Sequence, residues 1–131
     1  MSGRSLYNDA YTKIARIEPH GFMSNPPAGS IGLLFSPNGS ADQAYIIGGE
    51  HPDHRPTGLP VGASAIYDMW GGIVKLITPG LVIDVGSRTA TLTANGGWTI
   101  NGPVTINGDV AINGNLNATG SITDGDGDGG A

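Results

Sequence analysis

The chain has 131 residues, a net charge of -5, 23 glycines and no cysteine. Without cysteine it has no disulfide framework and no thiol chemistry, and with only 13% charged residues its texture suits turn-rich β structure better than a helical bundle. No apolar run reaches the length of a membrane-spanning helix, and no basic-then-apolar leader opens the sequence, so the expectation is a soluble protein.

The charge is unevenly placed. Residues 1–89 carry all six basic residues and seven acidic ones, whereas residues 90–131 carry four acids (Asp109, Asp124, Asp126, Asp128) and no Lys or Arg. A segment without cations has nothing to neutralise phosphates, which argues against nucleic acid as its partner.

In chain order, residues 1–12 (MSGRSLYNDAYT) show no period and read as a flexible lead-in. From 13 the pattern turns to β with KIARIE. The stretch GFMSNPPAG (21–29) is a loop, because Pro26 and Pro27 cannot donate to a ladder. SIGLLFS (30–36) and AYIIG (44–48) are short apolar strands separated by turn chemistry at 37–43. GEHPDHRPTGLPVG (49–62) is a long proline-containing loop. ASAIYDMW (63–70) alternates, with Ala63, Ala65 and Tyr67 on one face and Ser64, Ile66 and Asp68 on the other. Gly71-Gly72 turns the chain into IVKLIT (73–78), and Pro79-Gly80 turns it again into LVIDVG (81–86). So many short strands in residues 13–86 describe a small barrel or a sandwich, with no amphipathic helix.

Beyond residue 89 a six-residue repeat takes over: WTINGP (98–103), VTINGD (104–109), VAINGN (110–115), LNATGS (116–121) and ITDGDG (122–127). The first four units are apolar at positions one and three and then bend, mostly through Asn-Gly, whose residues tolerate positive φ. A unit with two apolar side chains cannot offset the roughly 1–2 kcal/mol lost on ordering each backbone residue. Neighbours must therefore stack. A single-chain left-handed β-helix with about three hexads per coil would have fewer than two coils here. Three copies around one axis solve the shortage. Trp98, Ile100, Val104, Ile106, Val110, Ile112, Leu116, Ala118 and Ile122 would then form the core of a needle over residues 89–123. A monomeric meander of Asn-Gly hairpins explains the turns equally well, but leaves edges and an apolar face open. A hexapeptide-repeat acyltransferase is disfavoured, because two apolar positions per hexad are filled and the array is short.

Together, the SNPPAG loop (24–29), RPTGL (55–59), YDMWGG (67–72) and the Asn-Gly repeats give residues 13 to about 124 a family likeness. The sequence resembles the Mu-type baseplate assembly protein V family, the central spikes of contractile-tailed phages and related injection machines. The resemblance implies an all-β chain: an OB-fold-like barrel or collar at 13–86, then a trimeric triple-stranded β-helix needle at 89–123 and an acidic, Gly-rich tip or tail at 124–131. It implies a non-enzymatic homotrimer in the virion tail baseplate, assembled in the bacterial cytoplasm. The spike would dock on the tail hub, accept a separate tip-capping protein as a candidate partner, and pierce the host outer envelope when the sheath contracts. The alternative is a trimeric carbohydrate- or oligonucleotide-binding OB module with a β-helical stalk.

Many such spikes end in a His-x-His tip that binds iron; with no histidine after His54 in this sequence, an iron tip is not carried over. Asp124, Asp126 and Asp128 form a candidate axial Ca²⁺ or Mg²⁺ site, weighed against a frayed, solvated acidic end. HPDH (51–54) lacks the further ligands that zinc needs, and no nucleophile–base set stands out.

Overall fold

The computed structural model describes residues 3–4, 10–11 and 14–125. These divide into two units, one running to Thr91 and the other starting at Leu92.

Among the described residues the first unit contains eight strands: β1 (Gly3–Arg4), β2 (Ala10–Tyr11), β3 (Ala15–Ile17), β4 (Ile31–Phe35), β5 (Tyr45–Glu50), β6 (Ser64–Tyr67), β7 (Ile73–Ile77) and β8 (Gly80–Asp84). Two 3-10 turns, Pro37–Gly39 and Ala41–Gln43, join β4 to β5, and no α-helix occurs among the described residues. Within the segment expected as a lead-in, β1 and β2 form a short antiparallel ladder.

The other strands make two three-stranded sheets, β3-β5-β4 and β6-β7-β8. The closed barrel expected over 13–86 is therefore not formed by the described strands. The physical reason lies in the pairing. A barrel requires each edge strand to find a neighbour, whereas β3, β4, β6 and β8 each end their sheet.

In the first sheet, β5 is central. It pairs parallel with β3 (Ala15↔Tyr45, Ile17↔Ile47) and antiparallel with β4 (Leu33↔Ile47, Phe35↔Tyr45). The register slips between Ile31 and Gly32. There Gly48 and Gly49 adopt φ of 101° and 122°, a bulge that side chains with a Cβ would strain.

Side-chain alternation then sorts the faces. Ile46 and Leu34 pack on Ile14 and Ala44, the small core of this sheet. The opposite rows, Ile17–Ile47–Leu33 and Tyr45–Phe35, stay exposed. An open groove of about 510 Å³ lies on that side, lined by Ile31, Leu33, Ile47, Glu50 and Pro52 among others.

The second sheet is a meander whose strands are joined by a loop through Gly71-Gly72 and a tight turn at Thr78-Pro79. Its registers align Ile66, Val74 and Ile83 in one row and Ala65, Lys75 and Val82 in the next. The first row is exposed and the second half-buried, following the two-residue period of the sequence.

Candidate functional site

The repeat unit, residues 92–125, contains no strand pairing among its described residues. Its one described backbone–backbone hydrogen bond runs from the Gly97 N–H to the Ala94 carbonyl at 2.9 Å. Each Asn-Gly step returns to nearly the same conformation, with φ of 143°, 154° and 156° at Gly102, Gly108 and Gly114. That region is open to glycine and strained for other residues, so the glycine sets the bend in the first three hexads.

The consequence is a chain that repeats its geometry every six residues without partners of its own. Trp98, Ile100, Val104, Ile106, Val110, Ile112, Leu116 and Ile122 are each between 51% and 67% exposed, and Ala118 is exposed as well. A single chain thus buries none of the residues proposed as an axial core. Asp124 is half-buried, while Asp126 and Asp128 lie outside the described residues.

Two side-chain clamps in the first unit give physical content to the motifs singled out in the sequence. At YDMWGG, the Asp68 carboxylate accepts the N–H groups of Trp70 at 2.9 Å and Gly72 at 2.8 Å. The Asp68 N–H in turn donates to the Gly72 carbonyl at 3.0 Å, closing the β6–β7 turn. Arg88 pairs with the second Asp68 oxygen at 2.7 Å and donates through Nε to the Val85 carbonyl at 3.1 Å. The Arg88 bond is the main reason that the Asp68 carboxyl is held below its usual range. A Cβ at Gly72 would press on the Arg88 guanidinium and sit 2.8 Å from Asp68 Oδ2, so a side chain there would displace the Arg88 end of the pair. Trp70 stands largely exposed at the turn.

The second clamp holds the proline loop. Glu18 accepts from Arg16 Nη1 at 2.7 Å, from the Ser24 N–H at 2.9 Å and from the Ser24 hydroxyl at 2.7 Å. Arg16 also donates to the Ser24 and Gly48 carbonyls. Arg16, then Ser24, pull the Glu18 carboxyl down to about 2. Pro26 packs over Gly49, where an added Cβ would fall 2.6 Å from Pro26 Cγ. Phe22 and Met23 project into solvent from this braced loop, Met23 at 95% exposure. Sequence reasoning placed the loop and missed the clamp. The signal was the Arg-x-Glu spacing at 16–18 on one strand edge, which gives adjacent side chains on the same face.

The His51 and His54 rings lie 4.4 Å apart between centroids, and His51 Nδ1 accepts the Asp53 N–H at 3.3 Å. No group of three or more His, Cys, Asp or Glu side chains able to hold a metal occurs among the described residues. No described helix is long and apolar enough to cross a membrane.

Residues 1–53 match the family model described as Bacteriophage Mu Gp45, N-terminal. This match supports a phage structural protein related to the tail baseplate. It spans β1 to β5 and ends before the YDMWGG turn and the hexad repeat. No curated protein and no solved structure shows significant similarity to the chain.

Proposed function

We propose that the protein is the central spike of a contractile phage tail or related injection machine: a homotrimer that docks on the baseplate hub and pierces the host envelope mechanically. The observation that carries this reading is the repeat unit. It offers two aliphatic or aromatic side chains in each of its first four hexads to solvent, and its backbone finds no ladder among the described residues. Contiguous exposed apolar surface of this kind calls for a partner. A second and third copy are the partners whose period matches, because a six-residue register is complementary to itself.

The phage family match over residues 1–53 supports the setting in a virion tail. A mechanical role requires no catalytic group. Stiffness would come from three chains sharing hydrogen bonds and one dry core, and the acidic charge of residues 90–131 would keep the needle dispersed before use. Residues before 92 would form the collar that meets the hub, with their exposed sheet faces as contact surface.

Light scattering on purified protein tests the assembly. The expected mass is three times the 13.3 kDa chain. Antibodies against the chain should label the distal tip of contractile tails in electron micrographs. A stable 13.3 kDa particle, or label confined to heads or tail tubes, would refute the proposal.

A further inference from the structure

We propose that the Asn-Gly steps at 101–102, 107–108 and 113–114 are sites of spontaneous deamidation whenever the repeat is unpaired. Asparagine is among the chemically thermolabile residues. In the reaction, the amide nitrogen of the following residue gives up its proton and attacks the asparagine Cγ. A C–N bond forms, the C–NH₂ bond breaks, and ammonia leaves with that proton. Water then opens the cyclic imide at either carbonyl, giving aspartate or isoaspartate.

Three features favour attack in the repeat. Glycine places no side chain beside the nucleophile. Asn101, Asn107 and Asn113 are exposed. Finally, no acceptor among the described residues holds the N–H of Gly102, Gly108 or Gly114.

The chain contains its own control. Asn38-Gly39 has the same two residues, but Asn38 is fixed at φ 52° and ψ 23° inside a 3-10 turn. There the Gly39 N–H is committed to the Ser36 carbonyl at 3.0 Å. Composition alone would rank these steps as equals, and the backbone separates them.

Conversion matters to assembly. An isoaspartate inserts an extra methylene into the main chain and breaks the six-residue register. Either product adds a negative charge beside the aliphatic positions. Chains left unpaired would thus age out of competence, while a ladder between copies would engage the glycine N–H groups. The chemistry rests only on the unpaired backbone; its suppression by assembly rests on the trimeric reading above.

The test follows conversion by mass spectrometry at mildly alkaline pH. It uses the full native chain, the Ile106→Asp chain and the native sequence in urea, with light scattering on each sample. Trypsin releases residues 89–131 as one peptide, because no Lys or Arg follows Arg88, and Asn38 falls in a separate peptide; the 89–131 peptide also carries Asn95-Gly96, so fragmentation within it assigns conversion to each step. In urea, Asn38 should convert as fast as the repeat. In any native sample that scatters as a monomer, the repeat should convert at least about fivefold faster than Asn38, the factor supplied by one net hydrogen bond on the attacking amide. Gly108→Ala should slow Asn107 alone. A native monomer whose repeat converts no faster than Asn38 overturns the proposal. A wild-type trimer converting at the monomer rate overturns the protection by assembly. A wild-type monomer with fast conversion upholds the modification sites and removes the trimer instead.

Discussion

Replacing Ile106 with Asp addresses the repeat at its middle unit. Ile106 is 61% exposed in the single chain, so a shared core would withdraw somewhat over half of its side chain from water. Full burial of an isoleucine is worth about 1.5–3 kcal/mol, so the remaining share is about 1–2 kcal/mol per chain. Three copies meet in one layer, so the substitution removes about 3–6 kcal/mol per trimer, a loss of roughly a hundred- to ten-thousand-fold in association. The penalty of placing three carboxylates on one axis comes on top of this. Light scattering across a dilution series reads the shift directly, and circular dichroism of the β signal reports whether the repeat is ordered. The aspartate chain should remain monomeric at concentrations where the parent is trimeric. A parent that is trimeric together with a variant of unchanged mass and melting temperature would refute the assignment of Ile106 to an axial core.

Other tests concern the first unit. Gly32→Ala places a Cβ 2.8 Å from Ile46 Cγ1 and 2.9 Å from the Ile47 carbonyl oxygen; this overpacking should cost about 1–3 kcal/mol in a denaturant melt. Asp68→Ala strips two turn N–H groups and Arg88 of their acceptor, which should lower the melting temperature. The Glu18 carboxyl titrates at about 2 instead of 4.5. Because the folded value is depressed, its contribution is fully present above about pH 4.5 and is lost as pH falls toward 2. The Ser24 amide resonance should report that transition, and Glu18→Gln should abolish it.

Local signals carried much of this architecture in the sequence. The alternation in 63–67 marks Ala63 and Ala65 as half-buried but not Tyr67, which is exposed, and Gly71-Gly72 marks the first turn of the meander, whereas the second falls at Thr78-Pro79, one residue before the expected Pro79-Gly80. The Asn-Gly period marks the repeated glycine conformation. The non-local features were hidden. Nothing in KIARIE announces that β3 lies parallel to β5, since residues 15–17 and 45–47 are joined across an intervening strand. The open sheets in place of a barrel are likewise a matter of which edges meet, and periodicity does not encode edges. In the clamps, Asp68 was visible as part of a motif, but its partner Arg88 is twenty residues away.

The placement of β5 between β3 and β4 has a consequence for biosynthesis. The strand that both neighbours need is the last of the three to leave the ribosome, some thirty residues after Ile17. At about 5–20 residues per second, the earlier strands wait a few seconds with unsatisfied edges. During that interval the nascent chain offers the unpaired β4 backbone and the core side chain of Leu34 to any passing strand, so yield in expression should depend on translation speed and chaperone supply more than on the final melting temperature.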